Sequence, residues 1–219
     1  MITYDDIRKN EALGAYIRAA DDSLIALGYT EHSFAHVSRV AHDAARMLSA
    51  LGYPEREIEL AKIAGYMHDI GNLVNREEHS QSGAVMAFRI LDRMGMEPAE
   101  IAAIVTAIGN HDEGTGVPVS PLAAALILAD KSDVRRTRVR NSDPSSFDIH
   151  DRVNYSARLS ELAVDREEGT VCLNIQIDTA ISSVMDYFEI FLGRMILCRK
   201  AAEKLGLTFR LIINGQQLF

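Results

Sequence analysis

Along the first 140 residues, apolar side chains recur at intervals of three and four, the period of helices that each bury one face. The pattern predicts helices over 4–27, 32–51, 55–71, 78–94, 98–110 and 121–138. Local punctuation agrees with it. Pro54 and Pro98 stand at first-turn positions with Glu close behind, and Ser120-Pro121 pairs a hydroxyl N-cap with a first-turn proline. Gly28, Gly52, Gly71 and Gly95 fall at or just past predicted ends, where a left-handed residue caps a helix.

The segment 141–146, Asn-Ser-Asp-Pro-Ser-Ser, interrupts the pattern and marks the expected boundary between a helical body over 1–140 and an appendage over 147–219. After a short helix near 147–156, residues 158–165 and 170–177 read as strands joined by an Arg-Glu-Glu-Gly turn, hence a hairpin. Ile181, Val184, Phe188, Phe191, Met195, Ala202 and Leu205 form one apolar stripe of a long helix, and 208–213 reads as a third strand. The expected fold class is mainly α, a helical bundle with a small C-terminal α+β appendage.

Composition narrows the picture. With 219 residues, 47% hydrophobic and 25% charged, the chain has the make-up of an ordinary globular protein. No apolar run approaches the roughly 20 residues of a membrane span, and the opening MITYDDIRKN is polar, so a soluble cytoplasmic protein is expected. Cys172 and Cys198 belong to no paired-cysteine motif, which argues against a disulfide framework or zinc ribbon and for buried thiols. The net charge of −8 disfavours binding along a nucleic-acid backbone. A phosphate-bearing substrate would then need local positive charge, from metal ions or from the basic stretch Lys131, Arg135, Arg136, Arg138 and Arg140.

Five of the predicted apolar stripes run into a histidine or an aspartate. His36 adjoins Val37, Val40, Ala44 and Leu48; Ile58, Ala61 and Gly65 lead to His68, followed by Asp69. Ile90, Ala87 and Gly83 run back to His79, Ile101, Ile104 and Ile108 run on to His111, and Ala123 and Ile127 run on to Asp130. A single inward histidine is more simply a core residue with a hydrogen-bond partner. Five elements delivering such groups point to a metal centre, because an unpaired buried charge costs on the order of several kcal/mol. Imidazole and carboxylate donors suit Fe, Mn, Ni, Co or Zn, with Mg possible, and the set is large enough for two ions.

Taken together, His36-Val-Ser-Arg39-Val40-Ala41, His68-Asp69-Ile-Gly, His79, His111-Asp-Glu-Gly-Thr-Gly and Leu128-Ala-Asp130 resemble the HD superfamily of metal-dependent phosphohydrolases over roughly 30–136. The order and spacing carry the likeness, since His42-Asp43, His111-Asp112 and His150-Asp151 are also His-Asp pairs. Ala129-Asp130-Lys-Ser-Asp133-Val-Arg-Arg136 is similar to the end of HD-type hydrolases of symmetrical dinucleoside tetraphosphates. His79 and His111 are similar to residues of dinuclear HD-GYP phosphodiesterases, although Gly116-Val-Pro118 replaces Gly-Tyr-Pro.

The resemblance implies an HD-domain helical bundle in which His36, His68, Asp69 and Asp130 hold one divalent ion and Asp69 bridges to a second held by His79 and His111. It implies hydrolysis of a phosphate ester or anhydride of a nucleotide or other small phosphorylated metabolite by a metal-activated water that Asp69 orients. Arg136 is the expected phosphate contact, with His32, Asn72 and Asp133 also near substrate. Asn72 stands where many HD sequences have Lys, so a familiar charge is missing and Arg76 or the arginines of 135–140 would have to replace it. Asp112 and Asp133 are candidates to orient ligands. Asp148, His150 and Asp151 would line the site if the appendage folds back over it. A dinuclear iron oxygenase and a non-catalytic nucleotide-binding regulatory module are the alternative functions, and homodimerisation through the appendage is a further expectation.

Overall fold

The computed structural model describes residues 1–218. The helical body comprises α1 (Tyr4–Arg8), α2 (Glu11–Ala26), α3 (Phe34–Ala50), α4 (Glu55–Met67), α5 (His79–Arg93), α6 (Pro98–Gly109) and α7 (Pro121–Lys131). Then come α8 (Ile149–Ser156), β1 (Ala157–Asp165), β2 (Thr170–Ile177), α9 (Val184–Lys204), β3 (Thr208–Ile213) and the two-residue β4 (Gln216–Gln217). The fold is mainly α with a small C-terminal sheet, as the periodicity predicts.

Where boundaries differ, hydrogen bonding explains it. The expected helix over 4–27 is two helices, because the Asn10 side chain accepts from Leu13 N and starts α2 anew. The expected helix over 121–138 ends at Lys131. Beyond it Arg135 binds Asp133, and Arg138 donates to the carbonyls of Glu31 and Asp133, so side-chain bonds displace the helical ladder and leave only a 3-10 turn, Arg136–Arg138. Pro54 precedes α4 as its cap rather than standing in its first turn.

Helix α7 runs through the centre of the bundle, with every residue from Leu122 to Lys131 buried. Close approach elsewhere depends on glycine. A Cβ on Gly65 would lie 2.7 Å from Ala41 Cα, so this glycine lets α3 and α4 touch and brings His36 beside His68. Gly71 is not the expected helix cap. It lies in the 3-10 turn Ile70–Leu73, where a Cβ would sit 1.9 Å from His79 O and 2.5 Å from Gly83 N, and so it seats that turn on α5. Gly28, Gly52 and Gly95 do have the positive φ of helix caps, at 81°, 80° and 76°.

The sheet order is β1-β2-β3-β4; β1 and β2 form the antiparallel hairpin, while β2 and β3 are parallel and joined through α9. Tyr187, Phe191 and Met195 of α9 are buried in the apolar cluster that also contains α7. This helix lies against α7 and β1 lies against α3, which brings the appendage within reach of the bundle's polar interior. Cys198 is buried and Cys172 is half-buried. Among the described residues, no helix is long and apolar enough to cross a membrane.

Gly71→Ala should destabilise the fold by about 2 kcal/mol or more, because backbone rather than a flexible side chain blocks the new methyl group. Gly28→Ala has open space and only a left-handed φ to oppose it, so about 1 kcal/mol is expected. Urea denaturation of the two variants measures the difference. Equal stabilities would refute the close-packing role of Gly71.

Candidate metal centre

Each inward histidine has one ring nitrogen already occupied. Nδ1 of His68, His79 and His111 lies 2.8, 3.1 and 2.6 Å from the carbonyl oxygens of Gly65, Arg76 and Ile108 respectively, in every case three residues upstream. His36 Nδ1 lies 2.7 Å from Asp133 Oδ2. A carbonyl oxygen only accepts, so Nδ1 of those three rings carries a proton, and in all four rings Nε2 is the atom directed inward.

The inward atoms converge on Asp69. Its Oδ2 is 3.2 Å from His68 Nε2 and 3.5 Å from His36 Nε2, while its Oδ1 is 3.4 Å from His79 Nε2 and 3.9 Å from His111 Nε2. Asp130 Oδ1 stands 3.3 Å from His36 Nε2 and 3.7 Å from His68 Nε2, with its Oδ2 held by Lys131 Nζ at 2.8 Å. Donor atoms of His36, His68 and Asp130 fall within 4.8 Å of one another, as do those of His68, Asp69 and His111. All six residues expected as ligands therefore surround one small volume.

That volume fits a cation on its own chemistry. His36 Nε2, His68 Nε2 and Asp69 Oδ2 are buried with no hydrogen-bond partner, a condition that native interiors rarely tolerate. His79 Nε2 and His111 Nε2 face each other at 3.2 Å. Two such lone pairs repel unless a proton or a metal lies between them.

Charge is distributed unevenly across the centre. Burial works against a charged His68, yet the Asp69 and Asp130 carboxylates raise its pKa to about 10. Burial likewise opposes charge on His36, but Asp130, Asp133 and Asp69 hold its pKa above the ordinary value. Asp69 stays well below the usual carboxylate range despite its burial, through His68 and His36; Asp130 does so through Lys131 and the same histidines. His79 and His111 are pushed down, by burial first.

Residues 33–135 match the HD domain family. This stretch, just under half of the chain, is an HD domain. The uncharacterized protein MJ1020 of Methanocaldococcus jannaschii is 25% identical over 211 residues, covering 85% of this chain and 79% of that protein. Ribonuclease Y of Bacillus pumilus is 28% identical over 137 residues, 61% of this chain but 22% of the ribonuclease. The crystal structure of a predicted HD superfamily hydrolase from an uncultured Thermotogales bacterium has a TM-score of 0.46 at 24% identity, over 57% of this chain and 68% of that one. The HD domain and its cluster of donors together support a metal-dependent hydrolase in general.

Residues expected near substrate divide into two groups. Asp133 is buried beneath His36, 2.7 Å from that ring's Nδ1, with Arg135 Nε 2.7 Å from its Oδ1. Asn72 is also buried; its amide donates to Asp69 Oδ1 at 3.1 Å while its oxygen accepts from Arg76 at 3.3 Å. His32 lies edge-on to His36, with ring centroids 5.4 Å apart, and burial plus the Arg138 charge push its pKa well down. Asp112 Oδ1 stands 3.9 Å from His79 Nε2.

Arg136 points away from the centre. It is exposed, donates to Tyr155 O at 2.6 Å and stacks over the Tyr155 ring. Arg138, two residues later in the same 3-10 turn, is the buried arginine, a distinction that a helix continued to 138 could not reveal. Sequence reasoning offers Lys131 only as charge for a phosphate and misses its 2.6 Å ion pair with Glu113, which backs Asp130. Their adjacency to Asp130 and His111 was the available signal. Arg194, which joins them through Glu113 at 3.0 Å, comes from α9 and had none.

Because His68 in the metal-free protein holds a proton up to about pH 10, metal entry must expel it. Metal uptake at pH 7 should release protons, and affinity should rise as pH is raised toward 10. Calorimetric titration of the metal-free protein in two buffers of different ionisation enthalpy counts those protons. Uptake with no proton release would contradict the assignment.

Proposed function

We propose that this protein is a metal-dependent phosphohydrolase acting on a phosphate ester or anhydride of a nucleotide or other small phosphorylated metabolite. The observation that carries the reading is the Asp69 carboxylate, whose two oxygens face different histidine pairs, His36 with His68 and His79 with His111. That arrangement supports two ions: one held by His36, His68, Asp69 and Asp130, the other by Asp69, His79 and His111. Divalent ions bound there would supply an acidified water as nucleophile and neutralise the phosphoryl oxygens.

The remaining roles belong to the chain. Asp133 and the three upstream carbonyls fix the imidazole tautomers. Lys131 occupies Asp130 Oδ2, which leaves Oδ1 to the centre, and the Asn72 amide steadies Asp69. No ready thiolate competes as nucleophile, since burial pushes the Cys198 thiol up to about 12 and raises Cys172 as well. Ribonuclease Y, by its name, cleaves RNA, which lends weight to phosphate-ester chemistry in this family. The net charge of −8 favours a small substrate over an RNA backbone here.

Asp69→Ala should lose bound metal by elemental analysis, together with at least about 100-fold of its activity on a panel of nucleotides, dinucleotides and phosphomonoesters assayed with Mn, Fe, Co, Ni and Mg. Unchanged metal content would refute the assignment. Asp133→Asn keeps the shape of the His36 support but removes its charge, and metal affinity should fall roughly 10- to 100-fold with the fold intact. Affinity equal to wild type in equilibrium dialysis would remove Asp133 from the centre.

A further inference from the structure

A cavity of about 520 Å³ adjoins the metal centre, lined by the bundle on one side and by α8 and α9 on the other. Its lining includes His32, Arg76, Arg138, Asp148, Asn154 and Arg194. Three separate contacts tie it to the proposed ligands. His32 packs on His36, Arg76 reaches Asp69 through Asn72, and Glu113 reaches Asp130 through Lys131.

Two guanidinium groups in this cavity have unused donors. Arg138 is 4% exposed; its Nε donates to Glu31 O and its Nη1 to Asp133 O, which leaves Nη2 without a protein partner among the described residues. Arg194 lies over the Phe191 ring at 4.4 Å and gives only Nε to Glu113, so both of its Nη atoms are unpartnered among the described residues. The charge of each bears on the other: Arg138 is held below its ordinary pKa by burial first, with Arg194 contributing. Each already faces a carboxylate, Asp133 at 3.9 Å from Arg138 and Glu113 at 3.0 Å from Arg194, so it is their free Nη donors that an anion in the cavity would meet.

The α8 side offers the opposite chemistry. Asn154 is 5% exposed and its amide nitrogen donates to His150 O, so its Oδ1 accepts no hydrogen bond from the described residues. Asp148 and Asp151 stand beside it on the same lining. A ligand that satisfies both sides carries an anion at one end and hydroxyl or amino donors at the other. The volume suits one small molecule of that kind.

We propose that this cavity binds a phosphomonoester of a polyol, its phosphate held between Arg138 and Arg194 and its hydroxyls on Asn154 and Asp148. The C-terminal appendage thereby completes the substrate site. Turnover of that ligand rests on the phosphohydrolase reading; binding does not. Arg194 is a phosphate-positioning residue that sequence periodicity assigns only to the apolar helix's polar side.

The test is calorimetry of the metal-loaded protein with inorganic phosphate, alongside kinetics with ribose 5-phosphate and a nucleoside 5′-monophosphate. Arg194→Gln should weaken phosphate binding roughly 10- to 100-fold and raise KM by a similar factor, with kcat nearly constant and metal content unchanged. Arg194→Lys should recover part of the loss. Asp148→Asn, which keeps the α8 cap, should weaken the sugar phosphate while leaving inorganic phosphate unaffected. A lower KM for the nucleotide than for ribose 5-phosphate would identify the polyol as a nucleoside, and the reverse a free sugar. Phosphate affinity unchanged in Arg194→Gln at full metal content would overturn the proposal. Arg194-dependent phosphate binding without hydrolysis of any ester would support the cavity and defeat the phosphohydrolase reading.

Discussion

The fold is organised around a shortage of partners at Asp69. Its buried Oδ2, together with the Nε2 atoms of His36 and His68, has no hydrogen bond, while ordinary contacts satisfy the other side of each ring. Leaving such atoms dry and unpaired costs on the order of 1–3 kcal/mol apiece, so the helices that bring them together work against their own stability unless a cation enters. The small residues of the interior make the gathering possible. Gly65 against Ala41 sets the α3–α4 distance, and Gly71 against Gly83 seats the turn after His68 on α5. Larger side chains at these crossings would spread the donors apart.

Around that centre lies a shell of charge that fixes orientation. Asp133, itself gripped by Arg135, holds His36; Lys131 holds one oxygen of Asp130; and Glu113 links Lys131 to Arg194 of α9. The last link ties the appendage to the metal ligands electrostatically as well as by packing. The cavity lined by His32 and Arg138 from one part of the chain and by Asn154 and Arg194 from the other lies beside this link.

Helical phase made most of this legible in the sequence. A polar residue that continues an apolar stripe must face inward, and that rule alone found His36, His68, His79, His111 and Asp130. The reading failed where side chains overrule periodicity. Arg136 carries the phosphate expectation through the motif resemblance, and a helix continued past Lys131 gives no sign that bonds from Arg135 and Arg138 turn the backbone out of it and bury Arg138. Gly71 read as a cap because a close approach to another helix leaves no trace in local sequence. Arg194 could not be found at all, since its relation to Glu113 and Arg138 exists only after α9 docks on α7.

The central claim is that Asp69 joins two sets of histidines through a metal. Anomalous diffraction from crystals of the metal-loaded protein, recorded above and below the absorption edge of the bound element, locates the ions without reference to activity. The account predicts one peak about 2.0–2.2 Å from His36 Nε2, His68 Nε2, Asp130 Oδ1 and Asp69 Oδ2, and a second between Asp69 Oδ1, His79 and His111. Peaks confined to other residues, with Asp69 uncoordinated, would contradict it.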